Sequence, residues 1–341
     1  MVVLFSDVMI ARGQTIAPAT VPTGCLDSIP AWMAKHKVPV VAASVIENGE
    51  IKQTRLFGKL DNGQPVTTGT LFNVASLTKP VTAIVTLRLI DAGKWDLDEP
   101  LYHYWIDPDL QDDPRYQKIT TRILLSHQSG FPNWRSQNGD KKLAFMFDPG
   151  TKYSYSGEGF EYLRHALEAK FHRTLQQLAD SVLFKPLGMK NTRYGWSVAL
   201  DSTRFAEPHN DKGELIRMKK IDQIIAADWL VTTISDYTKF ALSVVKQQGL
   251  SPRLFAGMVA PQVKMKAGTI ENMGLGWEVM TPLQNGEYLL IHTGADDGVK
   301  TMILLFPQTK RGIILFTNGN NGFDVIKNVI KQAFHVKELT P

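Results

Sequence analysis

Strand patterns at both ends of the chain, separated by a long helical stretch, constrain the fold more than any other feature of this sequence. Two short apolar runs, 40–46 and 51–57, flank Asn48-Gly49, a strong signal for a type I′ hairpin turn. Three further runs far downstream predict strands at 287–292, 301–306 and 312–317. We therefore predict an α+β fold in which both ends of the chain build one antiparallel sheet with helices packed on it.

The middle of the chain, from about 79 to 250, is dominated by helical periodicity. Helices are predicted at 121–127, 162–171, 175–183 and 236–246, with another starting near residue 29 and a last one at 323–335. The predicted organisation is an N-terminal lead (1–22), a discontinuous sheet lobe (23–75 and 255–341) and an inserted, mostly helical lobe (76–254). The cleft between the lobes is the expected place for a ligand.

Composition excludes several classes of function. The 341 residues are 43% hydrophobic and carry a net charge of +5, but the basic residues are scattered and no nucleic-acid motif accompanies them. The single cysteine, Cys25, excludes an intrachain disulfide and a multi-cysteine zinc site, and the histidines lack ligand spacing. We expect no metal, no cofactor and no nucleic-acid partner.

The N-terminus is mildly apolar over residues 1–10, but it lacks a basic start and Asp7 interrupts it, so it does not resemble an intact signal peptide. No run of about 18 apolar residues occurs, and no transmembrane span is expected. These patterns leave the compartment and the oligomeric state open.

Ser76 and Lys79 lie three residues apart where an apolar, helix-like run begins. Residues i and i+3 share a helix face, so the Lys79 amine can reach the Ser76 hydroxyl and help to deprotonate it. Pro80 is tolerated only in the first turn of a helix, which places Ser76 at the N-terminus, where the helix dipole favours a developing negative charge. The alternative is a capped core helix whose lysine merely reaches solvent.

Three short elements occur in order along the chain: Ser76-Leu77-Thr78-Lys79, Tyr155-Ser156-Gly157 and His292-Thr293-Gly294. Together with the phrases at 124–130, 149–156 and 186–192, they resemble the active-site elements of class C β-lactamases and related penicillin-recognising serine hydrolases. The resemblance covers about residues 25 to 335. It is specific because the elements occur jointly and in order.

The resemblance implies that Ser76 attacks a carbonyl and forms an acyl-enzyme, with Lys79 and Tyr155 sharing the work of general base and acid. Tyr155, rather than Tyr153, has the register of the motif. The implied oxyanion donors are the backbone N–H groups of Ser76 and Ala295. The implied substrate contacts are His292, Thr293, Gly294 and Gly157. The resemblance also implies a bacterial, periplasmic or secreted protein that acts on a small-molecule substrate.

Two departures from the family pattern bear on the substrate. Gly157 stands where many members carry an asparagine that binds a substrate amide, and His292 stands where many carry a lysine that pairs with a substrate carboxylate. Both changes favour a small ester, or an amide of another shape. A class C-type β-lactamase and a D-alanyl-D-alanine carboxypeptidase are the near alternatives, and a non-catalytic sensor of β-lactams or cell-wall peptides is the alternative from another class.

Three assignments near the cleft stay open at this level. His292 is either a substrate contact or an ordinary half-buried strand residue. His127 and Trp134 either line the cleft or serve as packing. The pair Asp296-Asp297 either accommodates a cationic substrate group or forms a solvated turn.

Overall fold

A computed structural model describes residues 20–217, 219–283 and 286–334 of the chain. The described helices are α1 (Ile29–His36), α2 (Thr78–Asp91), α3 (Thr121–Leu125), α4 (Gly157–Phe171), α5 (Leu175–Ala179), α6 (Lys185–Leu187), α7 (Ile234–Val245), α8 (Pro252–Val259) and α9 (Gly322–Phe334). The described strands are β1 (Val40–Glu47), β2 (Glu50–Gly58), β3 (Leu71–Asn73), β4 (Arg193–Tyr194), β5 (Leu230–Thr233), β6 (Val263–Lys264), β7 (Glu271–Met273), β8 (Glu278–Met280), β9 (Leu289–Asp296), β10 (Val299–Phe306) and β11 (Arg311–Thr317).

The main sheet has eight antiparallel strands in the order β2-β1-β11-β10-β9-β8-β7-β6. The N-terminal hairpin joins the C-terminal strands through β1, which pairs with β11 in a register that sets Val41 opposite Thr317. Asn48 and Gly49 take positive φ angles of 55° and 75°, as a type I′ hairpin requires. The α+β prediction and the joining of both chain ends in one sheet are confirmed.

The sheet is covered on both faces, and its central strands β1, β10 and β11 are accordingly buried over almost their whole length and mostly apolar. Alternate residues of β1 enter different cores: Val40 and Ala42 face one cluster, and Val41 and Ala43 face the other. Helices α1 and α9 pack on the second cluster. The first cluster holds α2, α4 and α7 and leads to the cleft.

The helix predicted near residue 29 begins at Ile29, four other predicted helices are present with shifted ends, and the predicted 175–183 helix is split. Helix α5 stops at Ala179, and one π-helical turn, Asp180–Phe184, follows it. The last predicted helix ends at Phe334, and His335 lies outside the described residues, as does the N-terminal segment 1–10. None of the helices within the described ranges has the length and apolar character needed to cross a bilayer.

Two groups of short strands were not predicted. Strands β6, β7 and β8 extend the main sheet beyond β9, and β3-β5-β4 form a small second sheet. In that second sheet Phe72, just before the predicted nucleophile, lies opposite Thr232. The predicted lobe boundary at 254/255 falls inside α8, and the division into two lobes stays a prediction.

Candidate active site

Ser76 lies in a single 3₁₀ turn, Ala75–Leu77, that leads directly into α2. Its neighbours Ala75 and Leu77 are fully buried, whereas Ser76 is partly exposed. Ala75 has a φ of 49°, a left-handed conformation that is strained for a residue with a side chain. The Asn73 side chain holds this turn, since its Oδ1 accepts a hydrogen bond from the Ala75 N–H at 2.9 Å. The turn thereby presents the Ser76 hydroxyl to the cleft.

The Lys79 amine reaches the Ser76 hydroxyl, as the i,i+3 spacing predicts. Lys79 Nζ lies 2.9 Å from Ser76 Oγ and 2.8 Å from the carbonyl oxygen of Ala227. The side chain is only 1% exposed. Burial lowers the pKa of Lys79 to about 8, against the opposing attraction of Asp228, Asp296 and Glu161. A lysine with this pKa has an appreciable neutral fraction near pH 7 and can accept a proton.

The Tyr155 hydroxyl, like the Lys79 amine, lies beside the Ser76 hydroxyl. It forms a hydrogen bond with Ser76, and Lys79 Nζ lies 4.7 Å from the centre of the Tyr155 ring. Burial raises the pKa of Tyr155 far above its ordinary value, so the phenol stays protonated. Tyr153, the alternative, has a buried hydroxyl with no hydrogen-bond partner among the described residues. The structure thus brings Tyr155, and not Tyr153, to Ser76.

His127 packs against the ring of Tyr155. The ring centres of His127 and Tyr155 are 4.5 Å apart, and His127 Nδ1 accepts a hydrogen bond from the Ser156 N–H at 3.1 Å. His127 is 1% exposed, and burial, with the nearby Lys79 charge, holds its pKa well below the ordinary value. Of the two predicted roles for His127, the structure fits packing, here against the ring of Tyr155.

Gly157 leaves room for an aromatic ring. A Cβ atom at this position would lie 2.8 Å from the ring of Trp134, which is closer than real Cβ contacts. The Gly157 N–H donates to Oδ1 of Asn133 at 2.9 Å and also to its carbonyl. Trp134 therefore occupies the space that a longer side chain at 157 would need, and any substrate contact by Gly157 stays a prediction.

The third element lies on β9 beside the nucleophile. His292 is 1% exposed, and its Nδ1–H donates to the Thr293 carbonyl at 2.8 Å. Burial lowers the pKa of His292 to about 3, so the ring is neutral. The Nε2 atom, left as an acceptor, is buried without a partner in the part of the chain that the structure describes. His292 therefore offers no positive charge to a substrate carboxylate.

Gly294 allows β9 to approach the nucleophile turn closely. A Cβ atom there would lie 2.3 Å from Thr301 Oγ1 and 2.4 Å from the carbonyl oxygen of Val74. Thr301 Oγ1 also donates to that carbonyl at 2.9 Å, which ties β10 to the same turn. Gly294 serves this close approach, so its small size matters whether or not it contacts substrate.

The edge of β9 next to the cleft is open. Strand β8 pairs with β9 only from Leu289 to Ile291, so within the described ranges no strand covers 292–296 on that side. Thr293 and Ala295 are partly exposed on this edge. Backbone groups of an open edge can pair with an extended ligand.

The two aspartates that follow Ala295 have different partners. Asp297 begins the turn into β10 with Gly298 at a φ of 72°, and its carboxylate accepts a hydrogen bond from Asn320. Asp296 faces the site, where its Oδ2 accepts from Asn73 Nδ2 at 2.9 Å and its side chain hydrogen-bonds with Asp228. Of the two aspartates, only Asp297 lies in a solvated turn.

Three residues of the site were missed from sequence: Asn73, Ala227 and Asp228. Asn73 stands three residues before Ser76 and could have been noticed as a helix-capping type. Ala227 and Asp228 carry no motif, and only the tertiary fold brings them to Lys79. Among the residues that the structure describes, no group of three His, Cys, Asp or Glu side chains could hold a metal ion.

The chain is similar in sequence to several known proteins. The sequence model of the family described as Beta-lactamase matches residues 27–336. Penicillin-binding protein 4* of Bacillus subtilis is 24% identical over 326 residues, which span 85% of this chain and 70% of that protein. The D-alanyl-D-alanine-carboxypeptidase/endopeptidase AmpH of Escherichia coli K12 is 24% identical over 87% of this chain and 86% of its own. Esterase EstB of Burkholderia gladioli is 28% identical, over 66% of this chain and 63% of its own.

Solved structures share the fold. An octameric penicillin-binding protein homologue from Pyrococcus abyssi superposes with a TM-score of 0.77 at 20% identity, over 90% of this chain and 75% of that one. The D-alanine carboxypeptidase AmpC from Burkholderia cenocepacia gives a TM-score of 0.74 at 20% identity, over 90% of this chain and 97% of that one.

Fold and relatives together define the class of this protein as a serine hydrolase. More particularly, the chain belongs to the β-lactamase family.

Proposed function

We propose that the protein hydrolyses a small ester, or an amide without a carboxylate next to the scissile bond, through an acyl-enzyme on Ser76. One observation carries the proposal: Ser76 Oγ has Lys79 Nζ at 2.9 Å and also hydrogen-bonds the Tyr155 hydroxyl. A nucleophile between a base and an acid is the arrangement that acyl transfer needs.

In the acylation step, neutral Lys79 accepts the Ser76 proton while Oγ attacks the substrate carbonyl. The tetrahedral intermediate collapses when the bond to the leaving group breaks, and the leaving group takes a proton from Tyr155. Lys79 then returns a proton to Tyr155. In deacylation a water molecule attacks the acyl carbonyl, loses its proton to the same pair and releases the acid, and Ser76 regains its hydrogen.

The oxyanion in this proposal is held by the N–H groups of Ser76 and Ala295. The first lies at the start of α2, where the helix dipole stabilises negative charge. The second lies on the open edge of β9, which Gly294 allows to approach the nucleophile turn. Close contact between β9 and that turn supports pairing these two donors.

The charge of the cleft supports the choice of substrate. His292 is neutral and buried, while Asp228 and Asp296 lie beside Lys79. A carboxylate on the substrate would meet the negative charge of Asp296 with no compensating cation from His292. The esterase among the relatives agrees with this reading. A peptide substrate is the second candidate, because the open edge of β9 can pair with an extended chain and AmpH is named a carboxypeptidase.

Hydrolysis of p-nitrophenyl butyrate tests the proposal, with intact-mass spectra recorded during turnover. Ser76→Ala should lose at least about a thousandfold in kcat/KM and show no butyryl adduct. Tyr155→Phe should lose about a hundredfold or more, whereas Tyr153→Phe, the matched control, should remain within a fewfold of wild type.

Ester turnover that persists in Ser76→Ala would contradict the proposal. Benzylpenicillin and a D-alanyl-D-alanine peptide serve as the competing substrates. Faster consumption of either would support the β-lactamase or carboxypeptidase alternative, and a stable penicillin adduct without turnover of any substrate would support the sensor.

A further inference from the structure

Three segments of the site are linked by side chains that stand directly beside the proposed catalytic groups. Asn73 precedes the nucleophile turn, Asp296 follows the oxyanion residue Ala295, and Asp228 follows Ala227, whose carbonyl binds Lys79. Asn73 Oδ1 accepts from the Ala75 N–H, and Asn73 Nδ2 donates to Asp296 at 2.9 Å. Asp296 in turn hydrogen-bonds with Asp228, whose Oδ1 accepts from the Trp229 N–H at 2.7 Å.

A hydrogen bond between two carboxyl groups requires a proton on one of them. We propose that Asp228 carries this proton and that Asn73, Asp296 and Asp228 form a proton-dependent clip. The clip positions β9 and the loop that carries Ala227 and Asp228 against the nucleophile turn. The inference rests on the proposed hydrolase function and assigns positioning residues to it.

Burial and the neighbouring Asp296 charge support the location of the proton. They raise the pKa of Asp228 well above its ordinary value, despite the opposing effect of Lys79. Asp296 has the anchored position, because Asn73 donates to it from one side and the Lys300 ammonium bonds to its backbone carbonyl at 2.6 Å. A protonated Asp228 is therefore the donor, and Asp296 is the acceptor.

Charged and titratable groups face the clip from each neighbouring element. Lys79 on α2 and Tyr155 before α4 both interact electrostatically with Asp228 and Asp296. Lys300 on β10 interacts electrostatically with Asp296 and Asp297. Asp297 itself accepts a hydrogen bond from Asn320. Glu161 on α4 lies near Lys79, accepts from the Ala227 N–H and is paired with Arg164.

Loss of the proton would place two negative carboxylates in contact. Like charges at hydrogen-bond distance repel strongly when they are shielded from water. The loop that carries Ala227 and Asp228 would then separate from the end of β9, and the proposed oxyanion donor at Ala295 would move relative to Ser76. A displacement of about 1 Å at this position can cost about a hundredfold in rate.

Isosteric substitution tests where the proton lies. Asp228→Asn keeps a donor to Asp296 and keeps the net charge of a singly protonated pair. The midpoint of the acid limb of kcat/KM for p-nitrophenyl butyrate, which Lys79 sets, should therefore stay within a few tenths of a pH unit. Asp296→Asn removes the anionic partner and should move that midpoint to lower pH. Asp228→Ala removes the link, and kcat should fall about 10- to 100-fold with a smaller change in KM.

Asp297→Asn is the matched control, since Asp297 has its own partner outside the clip. A downward shift of the acid limb in Asp228→Asn as large as that in Asp296→Asn would mean that both carboxylates are ionised in the wild type, and would overturn the proposal. An unchanged kcat in Asp228→Ala would also overturn it.

A second measurement needs no substrate, so it separates failure of this inference from failure of the hydrolase proposal. Because the folded pKa of Asp228 lies above the unfolded value, its stabilising contribution is complete below the unfolded pKa and is lost as the pH rises through the folded pKa. The melting temperature of the wild type should fall more between pH 4 and pH 8 than that of Asp228→Asn. An equal fall in melting temperature in the wild type and in Asp228→Asn would contradict the proposal. If Asp228→Asn does not fold, Asp296→Asn takes its place, and a fall equal to that of the wild type would contradict the proposal in the same way.

Discussion

Lys79 combines deep burial with a set of nearby acids, and these two influences act on its pKa in opposite directions. Burial is the larger one, and it lowers the pKa to about 8. The two histidines of the site are neutral over the whole working range, because burial depresses the pKa of both His127 and His292. The pH dependence of activity should therefore report Lys79 rather than a histidine.

The acid limb of the pH profile should follow the protonation of Lys79. A general base must be unprotonated, so kcat/KM for a neutral ester should rise with pH and level off above a midpoint near 8. The measurement is the rate with p-nitrophenyl butyrate between pH 5.5 and pH 9.5, corrected for spontaneous hydrolysis. Tyr153→Phe should share the wild-type midpoint. A flat profile between pH 6 and pH 9 would rule out Lys79 as the titrating base.

A second cation beside Lys79 should move that midpoint. The Lys79 charge helps to lower the pKa of His292, so the two side chains are close enough to interact electrostatically. His292→Lys therefore places like charges close together and should shift the acid limb to lower pH. His292→Gln, which adds no charge, should leave the midpoint in place. Equal midpoints in the two variants would show that residue 292 does not face Lys79.

Residues recognisable by motif were found from sequence, and residues placed only by the fold were not. Ser76, Lys79 and Tyr155 have fixed local spacings or belong to short elements, and the structure brings them together. Asp228 reaches Asp296 only because distant segments meet in the fold. The left-handed backbone of Ala75 was equally hidden, since alanine carries no sequence signal for a positive φ.

At the scale of elements, the site depends on how closely β9 can approach the turn that precedes α2. Gly294 makes this approach possible, and the contact involves backbone atoms that cannot rotate away. Residue 294 therefore links strand packing to the geometry of the proposed oxyanion donors, Ser76 and Ala295.

Gly294→Ala should harm both stability and rate. The new methyl group would overlap Thr301 Oγ1 and the Val74 carbonyl, so β9 must shift outward, at a cost of about 1–3 kcal/mol in the free energy of unfolding. We expect kcat to fall at least about tenfold, measured beside urea unfolding curves. Gly139→Ala is the control, because a Cβ at Gly139 meets nothing within 4 Å. Wild-type kcat in Gly294→Ala would show that this contact does not set the site geometry.

Longer elements were predicted better than short ones for a physical reason. The hairpin β1–β2 and strands β9 to β11 have seven to nine residues each, enough for a pattern of apolar residues to show. Strands β4 and β6 have two residues each and exist through tertiary pairing. Helix α4 starts earlier than predicted, since Gly157 and Gly159 are weak helix formers and the Ser156 cap holds them.

At the scale of the whole molecule, the main sheet separates two cores. The first core includes Val74 and Leu77, which lie on either side of Ser76 in the sequence, and the second lies beneath α1 and α9 on the other face of the sheet. Stability and catalysis should therefore be separable by mutations on this face.

Ile326→Ala should lower stability without changing catalysis. Ile326 lies on the buried face of α9 and is fully buried in the second core, and its truncation should cost about 2–5 kcal/mol in the free energy of unfolding. The urea midpoint should fall, while kcat of the folded variant at 25 °C stays at the wild-type value. Ile51→Ala removes the same atoms from a residue that is 48% exposed, and its midpoint should barely change. A matching loss of kcat in Ile326→Ala would indicate that the two faces are coupled.

The main sheet pairs strands that are far apart in the sequence, and this affects how the nascent chain folds. Val40 takes its N–H partner from Asn318, 278 residues later, so the N-terminal hairpin leaves the ribosome long before its neighbour β11 exists. Contacts this distant slow folding and leave an unpaired strand edge exposed during synthesis. The same delay applies to the proposed chemistry, because β9 must be translated before Ser76 can meet the proposed oxyanion donor at Ala295. In this protein the proposed nucleophile is translated well before the strand that would complete its site.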